Sequence, residues 1–310
     1  MYYRHTLKDK YVYPDRSDEH MISVKHLRDT HFDENFEYLP KGFWHKVKRG
    51  LLWVVLNLIV FPVATIRHGL KIHGKRNLRK HKKQFKKGAI TICNHVFMWD
   101  YICILKAIRP RLQYHPGWKT NFEGPNGPLI RWVGGIPIPT DNIRAMAKFQ
   151  KAIGQVLQED KWLHFFPEGS MWFFYPDVRP FKKAVFKYAA RYNKPVIPMA
   201  FSFRPRKGIY KLFGNNPLVD LNVGEPLYPD ATLSIPEATE KLHQEAYHAV
   251  QILAGITPDS PYYNTDQNID NYQKTMKKNG FYKAIVFTLK LLINRPIAPL
   301  LVLNLTKKLC

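Results

Sequence analysis

A histidine and an aspartate five residues apart, His95 and Asp100, sit where an apolar run hands over to a second apolar run. Ala89–Cys93 reads as a short buried strand and Tyr101–Ile108 as a helix. On one continuous helix, five residues turn about 500°, which would point the two side chains to different faces. They can meet only if His95 lies in the turn and Asp100 in the first turn of the helix. A carboxylate there accepts the Nδ1–H of the imidazole and stabilises the imidazolium. Nε2 is then free to take a proton from a hydroxyl. No serine or cysteine nucleophile is required if the substrate brings its own hydroxyl.

A second turn carries polar chemistry. Trp162–Phe166 reads as a short strand, and Pro167-Glu168-Gly169-Ser170 follows it. Proline and glycine around an acidic residue mark a tight turn. If both strands belong to one parallel sheet, Glu168, Gly169 and Ser170 reach the same edge as His95. They would there hold a substrate oxygen or an oxyanion. Arg179 and Lys182 open the next helix, Ala184–Tyr192, and a basic helix start is a natural anion site.

The elements that position these residues alternate strand and helix from about 70 to 255. Strands are expected at 70–73, 89–93, 112–115, 162–166, 195–203 and 218–223, with another in the 134–142 turn region. Long amphipathic helices are expected at 143–158 and 235–255. The fold class is therefore α/β, with a mixed, largely parallel sheet flanked by helices. Asp141 or Asn142 would cap the helix from Ile143.

The chain has 310 residues and a formal net charge of +24. Residues 1–42 are nearly neutral, with seven Lys/Arg against eight Asp/Glu, and show no period. They read as a polar, solvated arm with at most a short helix near 21–28. The excess charge lies further on. Arg67–Lys87 holds ten basic residues and no acid, and its Gly74–Lys87 part reads as an irregular stretch facing headgroups or solvent. Between the two, Gly50–Ile66 is an uncharged apolar run of 17 residues. As a helix it spans about 26 Å, short of the ~30 Å hydrocarbon core. Asn57 and Pro62 interrupt it and both flanks are basic, so a segment that dips in and returns is expected. The tail from Phe281 is apolar but holds Lys290, Arg295 and Pro296, which points to an interfacial amphipathic pair. The expected organisation is a polar arm at 1–42, a membrane-associated helical segment at 43–69, the α/β domain at 70–256, and a linker with an interfacial tail at 257–310.

Three cysteines, Cys93, Cys103 and Cys310, have no metal spacing and imply a reducing compartment. The thirteen histidines form no metal signature, so no metal site is expected. The charge admits anionic membrane lipids as partners. No nucleic-acid-binding motif accompanies it, so nucleic acid is not an expected partner. The non-enzymatic alternative is a basic protein that binds anionic membranes. A hydrolase on the same fold would use water where a transferase uses an alcohol.

The motifs together resemble those of the glycerolipid acyltransferases. That family's Asn-His-x4-Asp motif matches Asn94-His95 through Asp100. Its Phe-Pro-Glu-Gly-Thr/Ser motif matches Phe166 through Ser170, and its Pro-centred strand matches Val196 through Ala200. Lys119 looks like the lysine after the family's second strand, and Pro180 through Ala184 resembles the Pro-Phe-Lys-Lys-Gly motif. The resemblance covers roughly residues 50–226. It implies an O-acyltransferase of phospholipid synthesis at the cytoplasmic face of the cytoplasmic membrane. His95 would be the general base and Asp100 its orienting partner. Asn94, Lys119, Thr140, Glu168, Gly169, Ser170, Arg179 and Lys182 would bind substrate. Acyl-CoA or acyl carrier protein would be the donor, with no cofactor and no metal. The acceptor would be a lysoglycerolipid, 1-acyl-sn-glycerol 3-phosphate first. Two arginines that the family assigns to the acceptor phosphate are replaced, by Thr140 and Met171, and the aromatic insert Trp172–Tyr175 follows. Either Arg131, Arg144, Arg179 or Lys182 takes over, or the acceptor is another lysophospholipid, an aminolipid or a glycolipid.

Overall fold

The computed structural model describes residues 10–262. Helix α1 (Phe43–Val55) continues through a π-helical segment, Leu56–Val60, into α2 (Phe61–His68). The sequence reading expected a segment that turns back; the structure is instead one helical rod. Its irregularity is the π segment, just ahead of Pro62. Proline lacks an N–H and its ring crowds the carbonyl four residues earlier, and the wider π turn absorbs that conflict. Asn57 Nδ2 donates to Trp53 O at 2.8 Å, within the helix. Gly69 ends α2 in the left-handed region, at φ 55°, and a Cβ there would run into Leu218.

The rest alternates as expected: β1 (Lys71–His73), α3 (Lys75–Lys80), β2 (Ala89–Ile92), α4 (Asp100–Ile108), β3 (Gln113–Trp118), α5 (Lys119–Glu123), α6 (Gly127–Trp132), β4 (Gly135–Ile138), α7 (Ile143–Gln158), β5 (Trp162–Phe165), α8 (Ala184–Tyr192), β6 (Val196–Arg204), β7 (Leu218–Val223) and α9 (Ile235–Leu253). The 74–87 stretch, expected to be irregular, holds α3 and a 3-10 turn, anchored by buried Leu78 and Phe85. Asn142 caps α7 by accepting from Ala145 N at 3.0 Å. Ser234 and Glu237 form a capping box at α9.

The sheet order is β1-β7-β6-β2-β5-β3-β4. Every pairing is parallel except β6 with β7. Both faces are covered. One core layer joins α2 and α4 to the sheet through Phe61, Ile104, Phe97 and Phe201. The other joins α7, α8 and α9 through Ile153, Phe186 and Leu242. Central strand β2 is buried along its whole length, as a parallel strand between two helical layers must be.

The arm is the main departure from expectation. Residues 10–42 contain no helix or strand, yet they are bound to the domain rather than solvated. Their backbone carbonyls accept from side chains of the domain. Arg179 Nη1 donates to Ser17 O at 2.7 Å, Trp172 Nε1 to Glu19 O at 2.9 Å, and Arg131 to Glu37 O and Tyr38 O. Phe32 and Tyr38 are buried. The segment is a strap across the strand ends.

Candidate active site

β2 and β5 are adjacent and parallel, with Ile92 opposite Phe165. Loops that leave them therefore emerge at one edge. His95 is three residues beyond β2, and Glu168 three beyond β5. From β2 the chain crosses toward β3, and from β5 it returns across β2 to β6. This is the kind of switch in strand order at which α/β sheets open a crevice.

At that edge His95 Nδ1 lies 2.5 Å from Asp100 Oδ2. Asp100 opens α4, where a carboxylate suits the positive end of the helix dipole. Tyr101 N donates to its Oδ1 at 2.6 Å and Val96 N to its Oδ2 at 3.2 Å. The carboxylate is buried, and no Lys or Arg pairs with it among the described residues. The imidazole is 24% exposed and stacks on Phe166, with centroids 3.9 Å apart and planes 10° apart. With Nδ1–H given to Asp100, the lone pair sits on Nε2, which has no hydrogen-bond partner among the described residues. An acceptor hydroxyl can reach it.

Glu168 faces the other way. Its Oε2 accepts from His95 N at 2.9 Å and from Arg179 Nη2 at 2.8 Å, and its Oε1 from Arg179 N at 2.9 Å. Arg179 Nη1 also donates to Ser170 Oγ at 2.6 Å, and Nη2 to Ser170 O. Burial pushes the Glu168 carboxyl up from the usual carboxylate value, and Arg179 and the backbone donors oppose that. Asn94 closes the scaffold, accepting from Phe201 N at 2.8 Å and donating to Phe201 O at 3.3 Å. Thus Glu168, Ser170 and Arg179, read from the sequence as substrate contacts, lie buried behind His95 with their polar groups turned on one another, and Asn94 is turned on the backbone of β6. Their geometry is that of a brace for the loop. Gly169 has φ +83° at the turn, and the stem of Lys182 passes over it. Lys182 Nζ lies 3.4 Å from Asp18 of the strap. Lys119 Nζ donates to Asp141 at 2.6 Å, and Thr140 is exposed beside it. Arg131 is taken up by strap carbonyls and Gly135 O. Arg144 is exposed, 3.8 Å from Glu34.

The structure adds contacts that the sequence did not point to. The aromatic insert binds the His95 loop through its backbone: Trp172 N donates to His95 O at 3.1 Å and Phe174 N to Val96 O at 2.7 Å. His20 of the strap stacks on Trp118, with centroids 3.8 Å apart. Burial, then the neighbouring His95, hold His20 below the ordinary histidine value. Beneath Phe166 lies His164, edge-on at 4.3 Å. Thr91 Oγ1 is 2.8 Å from His164 Nδ1 and 2.9 Å from Gln113 Oε1. Burial drives His164 well below the ordinary value and His115 down to about 3. Burial thus favours the neutral form of both. Cys93 and Cys103 are buried free thiols. No group of metal-ligating side chains occurs among the described residues.

Residues 69–202 match the family model described as Acyltransferase. The protein is thus an acyltransferase enzyme. Both loops described above, with His95, Asp100 and Glu168, lie within the matched residues. The crystal structure of the 1-acyl-sn-glycerophosphate (LPA) acyltransferase PlsC from Thermotoga maritima is similar at 19% identity. The match covers 67% of this chain and 97% of that chain, with a TM-score of 0.43. No curated protein matches the chain.

Proposed function

We propose that this acyltransferase moves a fatty acyl group from the thioester of acyl-CoA or acyl carrier protein to the hydroxyl of a lysoglycerolipid at a membrane surface. The observation that carries the reading is the His95–Asp100 contact with Nε2 left open. Nε2 removes the acceptor proton as the oxygen attacks the thioester carbonyl. Asp100 stabilises the resulting imidazolium. The tetrahedral adduct then expels the thiolate, which takes that proton from His95. The product is an ester and a free thiol, and the base is regenerated.

The first acceptor to test is 1-acyl-sn-glycerol 3-phosphate. With Arg131 and Arg179 engaged inside the fold, Lys119 and Lys182 are the cations best placed to meet its phosphate. Each now holds an exposed carboxylate, Asp141 or Asp18. Such surface pairs are worth about 1 kcal/mol or less, so a doubly charged phosphate can displace them. A lysophospholipid with a larger headgroup, an aminolipid or a glycolipid is the second reading, favoured by the two replaced arginines.

Membrane attachment is supported by the rod Phe43–His68, which is long and apolar enough to cross a membrane by length and composition. One flank packs on the domain through Leu56, Phe61 and Ala64. The other exposes Leu51, Val54, Leu58 and Ile66. A rod held along the domain cannot also be ringed by lipid. It lies along the surface with its apolar stripe in the bilayer. The basic residues around it favour an anionic, cytoplasmic leaflet.

The test is thiol release from long-chain acyl-CoA by the purified protein in detergent, across a panel of lysolipids, with His95→Ala as control. Release that needs both His95 and one acceptor supports the reading and names the substrate. Release that persists in His95→Ala defeats it.

A further inference from the structure

At the opposite end of α4 from Asp100, a cavity of about 310 Å³ opens between that helix and the rod. Its apolar wall is Phe61, Pro62 and Ile66, and its polar floor is Lys106 and Arg109. Pro62 and Ile66 continue the exposed stripe that runs from Leu51 through Leu58. Among the described residues the two cations hydrogen-bond only to neutral oxygens, and Arg109 also lies over the Phe61 ring, 5.3 Å from its centroid. Lys106 Nζ donates to Thr65 Oγ1 and to Phe61 O, and Arg109 Nη1 donates to Asn57 Oδ1 at 3.1 Å.

Among the described residues the neighbouring charges are all of one sign, apart from the buried Cys103 thiol beside Lys106. Arg109 and Lys75 act on Lys106, and Arg109 and Arg79 act on Lys75. Burial and these like charges hold both lysines below the usual lysine range. The sequence has no acidic residue between Glu37 and Asp100, nor between Asp100 and Glu123. The C-terminus of α4 favours one cation through its dipole. It does not account for several held together without a counter-charge.

We infer that this seam is a binding site for the phosphate of an anionic phospholipid. The phosphate sits between Lys106 and Arg109, with Lys75 nearby, and the acyl chains run along Ile66, Pro62 and Leu58. A phosphate oxygen accepts from a lysine and a guanidinium together and relieves their repulsion. The apolar wall is what selects a lipid-borne phosphate over a free one. The inference rests on the membrane-surface reading of the rod but not on the acyl-transfer chemistry.

The experiment uses the full chain in neutral detergent, with thermal unfolding as the readout. Phosphatidylglycerol of short chain length is the probe, since it is neither the first proposed acceptor, 1-acyl-sn-glycerol 3-phosphate, nor the product made from it. It should raise Tm by roughly 2–4 °C, and phosphatidylcholine should not. The double variant Lys106→Gln with Arg109→Gln should lose the shift. Lys75→Gln, which touches no helix-to-rod hydrogen bond, should halve it or more. Lys82→Gln with Lys83→Gln, equal in charge but outside the cavity, should keep it. Melting without lipid shows whether each variant folds. The inference is overturned if the double variant keeps the shift, or if the Lys82/Lys83 pair loses as much. It is equally overturned if phosphatidylcholine or inorganic phosphate gives the same shift. Thiol release with each variant, in detergent free of anionic lipid, reads the catalytic proposal separately.

Discussion

Asp100 and Glu168 are both buried carboxylates, close to the same sheet edge and one loop apart. Each accepts two backbone N–H bonds. They differ in the third partner. Asp100 takes an imidazole that can gain and lose a proton, and Glu168 takes a guanidinium that stays charged. The first arrangement leaves a charge change to respond to. The second has its charge cancelled already and can only hold position. The partner, rather than the residue type, is what separates the two carboxylates.

The comparison predicts a graded set of losses. Removing the imidazole should cost most: His95→Ala should lower kcat by about 10²–10⁴-fold with the fold intact. Residual turnover near wild type would end the general-base assignment. Asp100→Asn keeps the shape but offers an amide that supports the other tautomer. Its kcat should fall by up to about 10⁴-fold, by analogy with other His–Asp pairs, with KM little altered. Glu168→Gln should separate the two carboxylates. It leaves Arg179 buried without its counter-charge, at a cost of about 3 kcal/mol, read as a lower urea midpoint. Its kcat, measured well below the unfolding range, should fall less than that of Asp100→Asn. If Glu168→Gln spares stability and abolishes turnover, the brace is itself part of the chemistry.

The smallest effect concerns pH. His115 is held at about 3 by burial, whereas an unfolded histidine titrates near 6.5. Between those values only the unfolded state takes the proton. The stabilisation from His115 is complete above about 6.5 and declines as pH falls toward 3, by about 1.4 kcal/mol per pH unit at most. His115→Phe should flatten the acid limb of Tm against pH. An unchanged slope would mean that other groups set it.

Periodic elements were legible in the sequence. Helices 143–158 and 184–192 and the strand 218–223 fall where apolar spacing puts them, because burial on one or both faces leaves a mark at each turn or pleat. The meeting of His95 and Asp100 was legible too, since a strand–turn–helix allows little else. The directions of Glu168, Ser170 and Arg179 were not. A motif names residues that share a loop, but which way a side chain points depends on Arg179 arriving from a later segment. The strap was missed for a related reason. It is held by its own carbonyls, at Ser17, Glu19, Glu37 and Tyr38, and a carbonyl is the same in every residue type. The rod read as a dip because Pro62 usually breaks a helix, and a π turn that absorbs it has no composition of its own.

The strap also sets an order of events during synthesis. Residues 10–42 leave the ribosome first, but the side chains that hold them, Arg131, Trp172 and Arg179, are made more than ninety positions later. The N-terminal segment therefore waits, undocked, until Trp172 and Arg179, which follow β5 in the chain, have been made.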